Sequence, residues 1–554
     1  MDSAYYQKTW LTREKNRWKR DDVCRLVQGF ENAKISSSQR QFSKETGVAR
    51  TTLQYWLARK KTIDESPGLV AFFESPEGLA FIHRLITAAH LEFTKNGAAS
   101  IHNISNFLKL SGLSPFIASS YPSQRRIASQ MDEKIIAFEE DERRRLSPKM
   151  PQKSITICED ETFHPQICLV AIEPVSNFIL VEKYAEDRKT ETWDKAVCNA
   201  VKNLPVNIVQ VASDQSSSLI RHALKSLKVH HSPDCFHVIY EIGKATSIAM
   251  ASKVRKAEAE YETKTKQAQE AIGHKETYDN AQRHPRGRRP DFEKRIDLAA
   301  ERAQKAKADL EQARKDQETV RRAKAAIGNV YHPYDLKSGK KQDAQHVSQL
   351  LEDLFDKINS ASRDLSDKCR EKVIKAKRVV KDMVSTIAFF HAMIDLYLGK
   401  MNLSDRDKKL MEKHLIPGYY LSQAAGKQSD IDVRENILKK AKELLSAIDK
   451  PDNGYLKTAQ LKKAAKECAQ FFQRSSSCVE GRNAQLSLRH QGIHRLGKNH
   501  LKALTVVHNY YIKRRDGTTA AERFFETKHR NLFDFLLENM DYPARPRNHL
   551  KIAA

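Results

Sequence analysis

The spacing of apolar residues divides the chain into three regimes. Up to about residue 135 apolar positions recur at helical three- and four-residue steps. Between 154 and 245 they fall into short runs, and beyond 245 helical spacing returns and persists. In the middle regime the runs 155–162, 167–172 and 178–184 are joined by short polar connections, which predicts an antiparallel meander of three strands. A helical face of Trp193, Val197, Ala200, Val201 and Leu204 follows, then a fourth strand over 206–212 that closes on Ser213 and Asp214. A helix carrying Leu219, Ile220, Ala223, Leu224 and Leu227 leads to a short segment at 229–232. The predicted order is β-β-β-α-β-α-β-α.

The first regime opens with two short helical patterns at 36–61, separated at Gly47, with Phe42, Val48, Leu53, Trp56 and Leu57 spaced to form a small core. This is a helix-turn-helix layout, in which the second helix enters the DNA major groove. Arg50, Thr51, Thr52, Gln54 and Tyr55 would face DNA, with Arg59, Lys60 and Lys61 near phosphates; an ordinary helical hairpin with a basic face is the alternative. Residues 66–135 are helical and contain a weaker repeat of the layout, with 101–110, Gly112 and a helix opening at Ser123-Gln124-Arg125-Arg126, which equally suits plain helical packing. The run 139–145, before Pro148 and Pro151, predicts a helix end and linker.

In the third regime Val254, Ala257, Tyr261, Lys264, Ala268, Ala271, Lys275 and Tyr278 keep heptad steps, as do Phe292, Ile296, Ala299, Ala303, Ala306, Leu310, Ala313, Gln317 and Val320. Joined by a Pro- and Arg-rich stretch at 284–290, they predict an antiparallel coiled-coil hairpin over 250–327. Its basic tip leaves three roles open: DNA contact, contact with a second protomer, or plain solvation. Further helices are expected over 345–470. The residues from 542 onward are expected to fray.

Composition narrows the partners. With 96 Lys and Arg against 70 Asp and Glu, the formal net charge is +26, which suits a polyanion, nucleic acid first. No apolar run approaches the ~18 residues of a spanning helix, and the chain opens polar, so no membrane, no secretion and a cytoplasmic, nucleoid-associated prokaryotic setting are expected. The eight cysteines form no Cys-x-x-Cys, which predicts small core residues in a reducing compartment. His490, His494, His500 and His508 match no common zinc spacing and are expected to be structural or DNA-facing.

The chemistry concentrates at strand ends, where open α/β sheets bind ligands. The first strand ends in Glu159-Asp160-Glu161 and the fourth in Asp214. The element order, with an acid on the first strand and another closing the fourth, is that of the ribonuclease H-like fold, in which those strands are neighbours. Two carboxylates so placed suit hard divalent cations such as Mg²⁺, and a two-metal clamp on a phosphodiester needs a third. Strand alternation puts Glu159 and Glu161 on one face and Asp160 on the other, without settling which is the ligand.

These residues resemble the bacterial insertion-sequence DDE transposases with a ribonuclease H-like catalytic domain. Cys158-Glu159-Asp160-Glu161-Thr162 is similar to the family's first motif, Asp214 to its second acid, and Val479-Glu480-Gly481-Arg482-Asn483 to its third; Asp234-Cys235-Phe236-His237 is similar to an element that follows the second acid. The motifs cover about 154–245 and 471–526. The resemblance implies a catalytic set of Asp160, Asp214, Glu480 and His237, the three acids holding two Mg²⁺, with Mn²⁺ substituting. Asp234 and Glu161 are secondary candidates, and Arg482 and Asn483 are expected to meet DNA. For His237 a structural role at a helix start stays open.

The expected architecture is multidomain α+β: a helix-turn-helix domain (1–65), a helical unit and linker (66–150), a ribonuclease H-like mixed-sheet core (151–245) interrupted by a helical insertion (246–470), the catalytic helix (471–530) and a basic tail (531–554). The expected activity is metal-dependent hydrolysis at transposon ends and transfer of the freed 3′-hydroxyl to target DNA. Its partners would be double-stranded DNA, as terminal inverted repeats and target, and further copies of the chain as a dimer or higher multimer. The alternatives are a non-catalytic DNA-binding protein and a nuclease of the same fold that cuts without joining.

Overall fold

The computed structural model describes residues 18–34, 36–163, 166–284, 287–446, 455–492 and 496–546. Pro285 and Arg286 of the hairpin tip, Ile493, His494 and Arg495, and the tail from 547 onward lie outside them.

Helices α1 (Arg20–Ala33), α2 (Gln39–Thr46) and α3 (Arg50–Lys60) close around Val23, Val27, Phe30, Phe42, Val48, Leu53 and Trp56. Ser38 caps α2 by accepting from the Gln41 N–H, and Gly47 ends it at φ 70°, a left-handed position that glycine takes without a Cβ penalty. Next come α4 (Pro67–Phe73), α5 (Pro76–Ala89), a π-helical turn (His90–Asn96), α6 (Ile101–Leu110) and α7 (Tyr121–Leu146). The run 139–145, expected to lead into a linker, forms the last turns of α7, where Glu142 is buried against Arg145 and Arg530. Gln124, expected to open a second DNA-reading helix, is buried and bonded to His90 and the Ala118 carbonyl.

The sheet contains β1 (Lys153–Phe163), β2 (Ile167–Glu173), β3 (Phe178–Ala185), β4 (Val206–Ser213) and β5 (His230–Pro233), in the order β3-β2-β1-β4-β5. The first three form the antiparallel meander, while β4 runs parallel to β1 and β5 parallel to β4. Between them lie α8 (Thr190–Val201) and α9 (Ser217–Arg221). One face of the sheet buries Ile155, Ile157 and Leu169 against Trp193, Val197 and Leu219.

From β5 the chain turns at once into α10 (Cys235–Asp279), which runs through residue 245 without a break. Its 45 residues reach roughly 67 Å at 1.5 Å per residue. It packs along α11 (Phe292–Val330), with Ala306, Leu310, Ala313 and Val320 buried and ion pairs Arg314–Glu258 (2.7 Å) and Lys253–Asp316 (3.0 Å) across the pair. The bases of both helices join α12 (Ala344–Ala361), α13 (Asp367–Lys377), α14 (Val380–Gly399), α15 (Asp405–Leu410), α16 (Ile416–Ala425), α17 (Ile431–Leu445) and α18 (Tyr455–Ala469) in a separate core around Phe355, Phe390, Tyr420 and Phe472.

The chain then returns to the sheet. Helix α19 (Ser477–Gly492) and α20 (Lys498–Tyr510) cover its second face, Val479, Leu486, Leu501 and Leu504 packing on Cys158, Val170, Ile172 and Ala212. Helices α21 (Ala520–Phe525) and α22 (Leu532–Asn539) pack with α20 and α7 around Phe138, Phe524 and Phe525. The stretch 542–546, expected to fray, is held instead. The Tyr542 ring packs at a tilt on His83, centroids 4.6 Å apart, Arg20 donates to the Pro543 carbonyl (2.6 Å), and Arg545 pairs with the buried Glu74. No helix among the described residues is long and apolar enough to cross a membrane.

Candidate active site

The parallel pairing of β1 and β4 sets Glu159 beside Ser213, so the next residue of each strand, Asp160 and Asp214, emerges at the same edge. Asp214 sits on the turn after β4, where its Oδ1 accepts from the Ser216 N–H at 2.9 Å. Strand alternation then sorts the three acids of β1. Glu159 and Glu161 point toward α8 and α9; Asp160 points toward α19. Glu159 is buried with His222, 3.2 Å away, and Glu161 accepts from the Trp193 indole N–H at 3.2 Å. Asp160 meets Asn483 of α19, whose amide donates to its Oδ2 at 2.9 Å.

Burial pushes Asp160 up, helped by the neighbouring carboxylates of Asp214, Glu161 and Glu480 and opposed by the Glu161 backbone N–H, to about 7. Glu480, half-buried on the first turn of α19, is likewise raised, by burial and by Asp234, while His237 acts in the opposite direction. Asp160 thus feels two acids from elsewhere in the chain, Asp214 just after β4 and Glu480 on a helix more than 250 residues further along. The three do not form a ready cage. Among the described residues no three His, Cys, Asp or Glu side chains are grouped tightly enough to hold an ion.

Helix α19 is pinned at three points. At its start Asp234 Oδ2 accepts from the N–H (3.1 Å) and hydroxyl of Ser476, while Oδ1 caps α10 through the Phe236 N–H at 2.8 Å. Asp234, a secondary site candidate, is therefore a buried clamp that joins the start of α10 to the start of α19. In the middle, Arg482 grips Glu182 of β3 through two bonds of 2.7 Å, and Thr505 also donates to Glu182 at 2.6 Å. At its end Arg489 donates to the Thr94, Lys95 and Asn96 carbonyls, which close the π-helical turn. Arg482, expected to meet DNA, is 4 % exposed and fully engaged. Its bidentate fork is spent inside the protein because Glu182 is buried and must be neutralised.

The other candidates lie elsewhere. Arg50, Thr51, Gln54 and Tyr55 are exposed along α3 and Thr52 is half-buried. Gln54 bonds Gln39 (3.1 Å), Arg59 donates to the Pro546 carbonyl (2.9 Å), and Lys60 pairs with Glu31 (2.8 Å), so two of the three cations expected near phosphates have protein partners, while Lys61 is exposed. His500 is bonded to Asp132 and His508 to the Asn177 carbonyl, both structural. Reading the sequence missed Glu182, Ser476 and His222. Glu182 had a visible signal: an acid inside an apolar strand demands a cation.

A family model described as "Family of unknown function (DUF6399)" matches residues 411–552, a span that contains α19 and Glu480. No curated protein matches the chain.

Proposed function

We propose that the chain is a DNA transposase that cuts phosphodiesters and joins the freed 3′-hydroxyl to a target at a carboxylate site formed by Asp160, Asp214 and Glu480. The observation that carries this reading is the raised Asp160, pushed up by burial and by acids arriving from β4 and α19. Such crowding is unfavourable unless a cation offsets it. The sheet order β3-β2-β1-β4-β5, with β1 beside β4, supports a ribonuclease H-like reading of the core.

The donor set fits a hard divalent ion. All three acids offer oxygen only, and Asn483 Oδ1 is buried with no hydrogen-bond partner among the described residues. Asp160, Asp214 and Glu480 would hold Mg²⁺ or Mn²⁺, which when bound activates water and screens the phosphate charge. Asn483 orients Asp160, and the Asp234–Ser476 clamp orients Glu480. His237, which acts electrostatically on Glu480, would hydrogen-bond a phosphate oxygen. Helices α2 and α3 support a helix-turn-helix reading, with Arg50, Thr51 and Tyr55 exposed toward base edges and Gln54 exposed beside them, bonded to Gln39. The buried stripe along α11 supports a coiled-coil hairpin.

The test is incubation of the full chain with the DNA flanking its own coding sequence, Mg²⁺ and a target plasmid. Cut and joined products are expected, and Asp214→Asn should abolish both while leaving binding within several-fold. Cutting without joining would reduce the reading to a nuclease. Binding without cutting, or Asp214→Asn cutting at the parental rate, would overturn it.

A further inference from the structure

Helix α10 begins at Asp234, which bonds the start of Glu480's helix and acts on Glu480, and it leaves two large aromatic rings in solvent. Phe236 is 53 % exposed and Tyr240 54 %, whereas Val238, Ile242 and Ala245 on the opposite face are buried. Phe236, Tyr240 and Lys244 follow at four-residue steps and so form one stripe, rising about 6 Å per step. The stripe starts two residues after Asp234, the clamp on Glu480's helix. His237 connects the two, acting electrostatically on Glu480 and lying 6.5 Å from the Tyr240 ring. Lys244 stands 5.9 Å from the Tyr240 ring centre and 3.7 Å from Glu241, at the surface.

Exposed aromatic rings backed by a cation are the elements with which proteins hold unpaired nucleic acid, because every base offers a π face and its strand carries negative charge. A fully paired duplex hides its bases' faces in the stack, so such a stripe beside a phosphodiester site has no use for it. Resting on the proposed DNA-cutting site, we propose that Phe236 and Tyr240 form a stacking subsite for an unpaired nucleobase next to the phosphodiester at Asp160, Asp214 and Glu480, with Lys244 on a neighbouring phosphate.

The test compares the full chain's affinity, in EDTA, for a forked duplex with a short oligothymidine arm and for a fully paired duplex of equal length. Wild type should prefer the fork by about tenfold, and Phe236→Ala/Tyr240→Ala should lose that preference while holding the paired duplex within about twofold. Tyr240→Phe, which keeps the ring, should retain it. A variant that keeps the preference, a wild type that has none, or an equal loss on both probes would overturn the subsite. So would a double variant that alters self-association and leaves fork binding intact, since the stripe would then belong to a second copy. The readout needs no cutting: Asp214→Asn cutting at the parental rate sinks the functional reading alone, and an unchanged fork preference sinks the subsite alone.

Discussion

Two carboxylates lie in one row across the sheet, and helix α19 covers both. Asp160 pairs with Val170 and Val170 with Glu182, so the acids project from one face two strands apart. Burial would raise Glu182, but Arg482 and Thr505 more than offset it and hold the carboxyl below the usual range. Among the described residues Asp160 receives only neutral donors, the Asn483 amide and the Glu161 backbone N–H, and stands at about 7. The adjacent residues Arg482 and Asn483 thus give one acid a full counter-charge and leave the next without one. The first arrangement fastens the helix; the second leaves the charge that the proposed cation would offset.

The largest expected difference between the two acids is in chemistry. Asp160→Asn should lower DNA cutting by roughly 10⁴-fold, read on flanking DNA, without lowering the melting temperature. Glu161→Gln, on the opposite face of the same strand, should cost less than about tenfold. A stable, fully active Asp160→Asn protein would end the contrast.

At Glu182 the effect should be on the fold. Arg482→Ala leaves a buried carboxylate unpaired and should destabilise by about 3–5 kcal/mol in denaturant unfolding. Replacing both partners, as Arg482→Met with Glu182→Leu, should recover much of that. No recovery would mean that the pair does more than neutralise itself.

A smaller effect is in pH. An acid raised on folding binds its proton more tightly in the native state, so Asp160 contributes stability below its unfolded value near 4, lost as pH rises toward about 7. Glu182, depressed on folding, runs the other way: its contribution is present at neutral pH and lost as acid protonates the folded carboxyl. In EDTA, Asp160→Asn should therefore melt higher than wild type at pH 8 and lose that advantage by pH 4. Equal differences at both pH values would show that Asp160 is not crowded.

Part of the site was legible in the sequence, and the rest was hidden by distance. The acids at 159–161 and Asp214 announce themselves because each set ends an apolar run, though alternation left open which of Glu159, Asp160 and Glu161 belongs to the site, and the three-strand meander follows from run lengths and connections. Glu480 sits on a helix with no pattern of its own and is found only through its resemblance to a motif. The fate of Arg482 was unreadable because its partner lies 300 residues away on β3, and local spacing says nothing of such pairs. The docked stretch 542–546 escaped for the same reason, since Arg545 meets Glu74 across nearly the whole chain. The helix start expected near His237 and the hairpin arm expected from 250 are one unbroken helix, which spacing did not show because its first turns, 235–245, carry mixed apolar residues, some packing on the helical core and others left in solvent.

The central claim is that Asp160, Asp214 and Glu480 form one cation site although three separate elements carry them. Mn²⁺ binding to the full chain, measured by electron paramagnetic resonance, addresses it directly. The account predicts that Asp160→Asn, Asp214→Asn and Glu480→Gln each weaken binding by about tenfold or more, while Glu161→Gln leaves it within about twofold. Wild-type Mn²⁺ affinity in Glu480→Gln would contradict it.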